Sequence, residues 1–330
     1  MMRRRDFITL LGGAAAWPSA ARAQQSGPPR KVGIMLNAQE NDPEWQAYEA
    51  AFRQRLRGLG WVEGHNLRVD TRYSVGDPDH ARVAATELIR LAPDVIFSSS
   101  TANLTALLRQ APTMPIVFVQ VSDPVAQGFV SNLAHPEGNI TGISAYEFSI
   151  GGKWAELLKQ MVPAIAHVSL IFNPDTSPQS KFWLRSVEAA APALNLSVTA
   201  SPIHEAADFE RAIENVAGQP NSGIIFPTDS FTTSNRKLVV EALARHRVPA
   251  IFNDRSFVEA GGLLSYGIEY EAIFRQAAVY VDRILKGAKP GDLPVQGPSK
   301  FGLVINVKTA KALGIDVPMS LLLNADDYIE

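Results

Sequence analysis

"HVSLIFNPDTSP", residues 167–178, decides the fold. It is a short apolar run that ends in Asn and then a polar, Pro-punctuated loop, and it stands near the middle of the chain. Residues 31–43, "KVGIMLNAQENDP", have the same form. A strand followed by a loop and a helix is how an α/β unit begins, so the chain begins such a unit twice. Outward from residue 31, strand-length runs at 32–36, 67–73, 94–98 and 116–119 alternate with helical stretches at 44–59, 79–91 and 102–110. In the first of these helices Tyr48, Phe52 and Leu56 recur at spacing four, one buried stripe. From residue 168 the series restarts, with strands at 168–172, 197–200, 224–226 and 250–252 and helices at 178–191, 207–216 and 234–246. Local words repeat in order: "NLRV" at Asn66 and "NLSV" at Asn195, "VIFSSST" at Val95 and "IIFPTDS" at Ile224, both pairs 129 residues apart. A shared spacing in a shared order predicts two similar α/β lobes with parallel sheets.

A helix over 271–286 carries Ile273, Ala277, Tyr280 and Ile284 on one face and stops at Gly287. The Pro/Gly connector "AKPGDLPVQGP" and the strand-like "KFGLVINV" follow. This late helix and strand can return the chain to the first lobe and then to the second, which makes three crossings. The expected division is 30–143 plus about 269–290 for the first lobe and 144–268 plus about 295–330 for the second, joined by a multi-strand hinge.

The chain has 330 residues, 46% hydrophobic and 19% charged, the composition of a globular protein with room for two domains. Its formal charge is −2, and residues 1–23 contribute +3 of that through four Arg and one Asp, leaving −5 on the remainder. An acidic body gives nucleic acid nothing to bind. With no cysteine at all, disulfides, thiolate metal sites and a lipid-acceptor Cys are excluded. The start, "MMRRRDFITLLGGAAAWPSAARAQQ", has a basic end, a modest apolar stretch and a small-x-small site that predicts cleavage after Ala23. Arg4 and Arg5 ahead of Asp6, Phe7 and Ile8 resemble the twin-arginine export signal, so the expected location is the periplasm.

The six His form no metal-ligand spacing, and no nucleophile elbow, phosphate loop or dinucleotide fingerprint occurs. No metal or cofactor and no enzymatic activity are expected. What stands at the strand ends is small and polar. In "FSSSTANL", Ser99, Ser100 and Thr101 sit where a strand gives way to a helix, so hydroxyls and backbone N–H groups converge as they would on a carboxylate. Plain N-capping uses the same geometry. "VQVSDPV" places Ser122 and Asp123 after the fourth strand, where an Asp-Pro turn is the alternative. Asn37, Asn173, Asp229 and Asn253 also follow strands, and in open parallel sheets ligands sit beyond those ends. Asp229 facing the hydroxyl run would suit a zwitterion, with Trp45, Phe231 and Tyr266 as aromatic flanks or core residues.

"AFRQRLRGLGWVEGHNLRVD", "PIVFVQVSDPV", "PEGNITGIS", "FSIGGKWAELL" and "YVDRILKGAKPGDLPVQGPSKFGLVINVKTAKALGIDVP" resemble the ABC-transporter substrate-binding proteins of the family that includes aromatic amino-acid binders. The resemblance covers nearly the whole chain after the leader. It implies the type I periplasmic binding fold, two lobes with three crossovers and ligand in the cleft, with contacts at Ser99 to Thr101 and Asp229. Contacts at Asn37, Ser122, Asp123, Asn173 and Asn253 follow from loop position alone. It further implies an amino acid or related carboxylate as ligand, transient delivery to a membrane ABC permease, and a monomeric mature protein. A ligand-sensing subunit of a membrane receptor, or an exported enzyme using the same cleft, are the alternative roles. Many relatives carry Thr-Pro where this chain has Ser100 and Thr101, and many lack an acid at Asp229, so the ligand can differ within the family.

Overall fold

A computed structural model of the chain describes residues 28–75, 78–121 and 123–330. The expected leader, residues 1–23, and Ser122 lie outside the described residues. The chain divides into two compact units, one made of the described residues up to Gly142 together with Arg275–Val295, the other of Ile143–Phe274 together with Gln296–Glu330. It therefore passes from one unit to the other three times.

The first unit is built on β1 (Arg30–Leu36), β2 (Leu67–Tyr73), β3 (Val95–Ser99), β4 (Ile116–Val119) and β5 (Ile140–Ile143), in the spatial order β2-β1-β3-β4-β5. Helices α1 (Pro43–Gly58), α2 (Pro78–Arg90) and α3 (Thr101–Gln110) cover it. On one face Met35, Ile96 and Phe118 pack with Ala84, Leu88, Leu104 and Leu107 of α2 and α3. On the other, Phe52 of α1 stacks on Phe97 at 4.4 Å. Burying a side chain of this size contributes about 2 kcal/mol. That sum over the two faces fixes which way each strand turns its side chains, and hence which residues lie at its end.

The second unit begins with α4 (Ile150–Met161) and continues through β6 (His167–Phe172), α5 (Ser180–Leu194), β7 (Ser197–Pro202), α6 (Ala207–Ala217), β8 (Ser222–Phe226), α7 (Ser230–Ser234), α8 (Arg236–His246), β9 (Ala250–Phe252), α9 (Arg255–Glu259) and β10 (Leu264–Ile268). Helix α10 (Tyr270–Leu285) carries the chain back toward the first unit, and β11 (Phe301–Asn306), α11 (Val307–Leu313), α12 (Met319–Asn324) and β12 (Asp327–Ile329) close the second. The second sheet runs β7-β6-β8-β9-β10-β11-β12. Its first five positions repeat the order of the first sheet strand for strand, which is the duplication visible in the sequence words. Ladders β1–β2, β1–β3, β3–β4, β6–β7, β6–β8, β8–β9, β9–β10 and β11–β12 are parallel, and β10 with β11 is antiparallel. Strand β11 returns after the helical excursion through the first unit and enters from the opposite end.

Candidate functional site

In the first unit the carboxyl ends of β1 and β3 bring together Asn37, Ser99, Ser100 and Thr101, and Asp123 follows β4. The Ser99 hydroxyl, fully buried, accepts the backbone N–H of Asn37 at 2.9 Å, and Asn37 is further joined to Ser74. Ser100 caps α3, its hydroxyl accepting the Asn103 N–H at 3.3 Å, while its own N–H donates to the carbonyl of Val119. Thr101 opens the helix, half-buried at the N-terminal end where backbone donors outnumber acceptors. The backbone here is unusual. Ser100 has φ 76° and ψ 152°, and Gln120 and Asp123, after β4, have φ 55° and 35°. Three non-glycine residues in left-handed conformations at adjacent strand ends store strain of about 1–3 kcal/mol each, a pattern that concentrates at ligand clamps. Asp123 is exposed and its carboxylate accepts the N–H of Ala126, which is the turn geometry of its Asp-Pro sequence.

Beneath the α3 terminus the Asn103 amide donates to the Met35 carbonyl at 3.3 Å. Among the described residues, the Asn103 Oδ1 and Ser98 Oγ, both fully buried, have no hydrogen-bond partner. Such orphaned buried groups are rare in native cores. Sequence reasoning passed over Asn103 and Gln120, because an Asn inside a helical run and a Gln at a strand end carry no distinctive pattern.

In the second unit Asp229 is 2% exposed. Its Oδ2 accepts the Asn173 N–H at 3.1 Å and the Thr232 hydroxyl at 2.7 Å, and its Oδ1 accepts the Phe231 N–H at 3.0 Å and the Thr176 hydroxyl. Four donors saturate the lone pairs of one carboxylate. Asp229 therefore clamps the loop after β6 to the start of α7. Asn173, also buried, shapes that loop from within, its Oδ1 accepting the N–H groups of Asp175 and Thr176 and its amide donating to the His204 carbonyl. Thr176 was not singled out from the sequence, although "NPDT" with an Asx turn at Asn173 is a signal for it.

Asn253, at the end of β9, is half-buried, and its carbonyl lies so close to Gly267 of β10 that a Cβ there would stand 1.6 Å from it. Glycine is required at this contact. Tyr266 lies beside it, stacked on Phe301 at 5.7 Å, with its hydroxyl pKa pushed up by burial. Phe231 stacks on Phe209 of α6, and Trp45 meets Tyr48 edge-on, so both aromatic flanks have protein partners. Among the described residues no group of His, Asp and Glu is placed to hold a metal ion, and no helix is long and apolar enough to cross a membrane.

The family model described as ABC transporter substrate binding protein matches residues 38–329. A tyrosine-binding protein of Clostridioides difficile (strain R20291) is 28% identical over 284 residues, covering 86% of this chain and 81% of that one. The ligand-free, open structure of a substrate-binding protein with adhesive properties from Clostridium difficile superposes with a TM-score of 0.78 at 26% identity, over 91% of this chain and 99% of that one. An ABC domain of Streptococcus pneumonia in complex with L-Trp superposes with a TM-score of 0.75 at 24% identity, over 91% and 100% of the two chains.

Proposed function

The chain belongs to the ABC transporter substrate-binding protein family and has the type I periplasmic binding fold, and from that premise we propose that it captures an amino acid with an aromatic side chain, or a related carboxylate, at the strand ends of both units. Solute binding is the family's role, and delivery to a membrane ABC permease is implied by it. The observation that carries the ligand class is the strained hydroxyl corner of the first unit: Ser99, Ser100 and Thr101 at the N-terminus of a ten-residue helix, with Gln120 and Asp123 held beside it in left-handed conformations. Backbone donors and a positive dipole end suit a carboxylate. Relatives described as binding tyrosine and L-Trp support the aromatic part.

In this reading Asn37, Ser99, Ser100, Thr101, Ser122 and Asp123 serve the first unit's half of the site, and Asn173, Asp229 and Asn253 the second's. Asp229 contributes through the loop it holds, since its oxygens are already taken. The protein works without catalysis, in the periplasm, after loss of residues 1–23. Mass spectrometry of the ligand that copurifies with the folded protein, followed by calorimetric titration of tyrosine, tryptophan and their decarboxylated amines, tests it. Amino acids binding at least tenfold more tightly than the amines is the expected result. Equal affinities, or a sugar as copurifying ligand, would overturn the carboxylate assignment.

A further inference from the structure

A buried amide has two ends to satisfy, and in Asn103 only one of them is met by the chain. Its Nδ2 donates to the Met35 carbonyl of β1 at 3.3 Å. A carbonyl can only accept, so the amide cannot be turned over, and Oδ1 must face away from Met35. Ser98 is the register partner of Met35 on β3. Two residues beyond Ile96, it turns its side chain to the same face of the sheet, the face that packs on α3 through Leu104 and Leu107. Asn103 Oδ1 and Ser98 Oγ, the orphaned pair among the described residues of this unit, therefore lie at one buried contact, between the first turn of α3 and the ends of β1 and β3. One accepts and the other has a proton to give, yet they do not reach each other. A water between them satisfies both, where leaving them bare in the core would be costly.

Asn103 is also where the strained corner is tied down. Its backbone N–H is the donor that the Ser100 hydroxyl caps, and its side chain holds β1, so one residue fixes the first turn of α3 against both strands. A left-handed serine persists only where its surroundings over-determine it. Ser100, with φ 76°, directly precedes that turn. Whatever sets the turn sets the aim of the first backbone donors of the helix.

Resting on the carboxylate reading of this corner, we propose that Asn103 is its positioning residue: an internal water links Asn103 Oδ1 to the Ser98 hydroxyl, and that link holds the first turn of α3 in the orientation that recognises a carboxylate. Asn103 is fully buried and acts through the turn rather than by contact with ligand. Without the link the turn relaxes, and the carboxylate loses its fit while the rest of the ligand keeps its own.

Calorimetric titration of tyrosine and of its decarboxylated amine separates positioning from plain support. Ser98→Ala combined with Asn103→Leu removes both orphans together, an exchange that costs little stability, so the melting temperature without ligand should stay near wild type. The preference for tyrosine over the amine should fall by about fivefold, the worth of a well-aimed helix end, while affinity for the amine holds. A wild-type preference in the variant overturns the proposal. So does an equal loss for both ligands, which would make Asn103 a plain support. Should the double variant fail to fold, Ser98→Ala alone, which removes a single oxygen, should lower the preference in the same direction, and an unchanged preference there overturns the proposal. A high-resolution crystal structure of the wild-type protein should show one water within hydrogen-bond reach of both atoms, and a direct bond between Ser98 and Asn103 would overturn it. Equal binding of tyrosine and the amine by wild-type protein is the separate failure of the carboxylate reading, and the crystal structure then decides the water by itself.

Discussion

Ser100 holds a backbone conformation that glycine adopts without penalty and serine does not. Ser100→Gly should therefore stabilise the protein by about 1 kcal/mol in denaturant titration, the relieved strain exceeding the few tenths lost with the cap. If the strain serves binding, the same variant should weaken the ligand. A parallel loss of stability and affinity would make Ser100 an ordinary cap. Asp229 behaves in the opposite sense. Four donors lose their acceptor in Asp229→Ala, so the ligand-free protein should lose about 3 kcal/mol or more by chemical denaturation. Unchanged stability would return Asp229 to the role of a direct ligand contact. The positions of Ser99, Ser100 and Asp229 were legible because strand ends in an α/β unit are readable from apolar periodicity alone. What those side chains do there was not, since Asp229 is saturated by Thr176 and Thr232, partners whose direction depends on how the loop folds. Tyr73 adds a pH handle. Burial, and then the Glu49 carboxylate, push its hydroxyl up to about 12. The folded state keeps its proton where the unfolded chain begins to lose it near pH 10, so this contribution is intact below about 10 and lost as pH rises through about 12. Tyr73→Phe should flatten that alkaline limb in thermal melts.

At the scale of elements, the strands and helices with clear apolar periods were read within a residue or two, as at β2, β4 and β9. Two of the strands missed share a cause. Strand β5, "ITGI", and strand β10, "LSYGI", each carry a glycine that interrupts the strand pattern. Both glycines are there because a neighbouring strand's backbone passes too close for a side chain: at Gly142 a Cβ would stand 2.3 Å from the Phe118 carbonyl oxygen. A pairwise contact of that kind leaves no periodic trace. It does make a sharp prediction, that Gly267→Ala separates β9 from β10 and yields protein with a greatly lowered melting temperature or none in the soluble fraction. Helix α6 is fixed differently. The Asp208 carboxylate accepts the N–H groups of His204 and Glu205 and pairs with Arg211, which together lower its pKa to about 2. Its stabilising effect is present above the ordinary carboxylate range and lost as pH falls from about 4 through about 2. Acid unfolding of Asp208→Asn should show a shallower pH dependence in that interval.

For the whole molecule, ligand engaged by strand ends of both units should draw them together. Small-angle scattering should record a smaller radius of gyration on addition of the copurifying ligand, with the circular dichroism unchanged. Identical scattering curves at saturation would count against engagement by both. The three passages of the chain between units bear on something else, the order in which the protein can be made. Helix α10 joins the first unit only from Arg275 onward, and there Asp282, nearly buried, accepts the Trp61 indole N–H at 2.8 Å and pairs with Lys286. Trp61 leaves the ribosome more than two hundred residues before Asp282 does. The unit that begins the chain therefore cannot finish folding until Arg275–Val295 has been made, and the second, which needs Gln296–Glu330, is completed later still. The first unit waits, with the edge of its core open, until synthesis has passed through Ile143–Phe274 of its neighbour, and that interval is when a chaperone would have the most to hold.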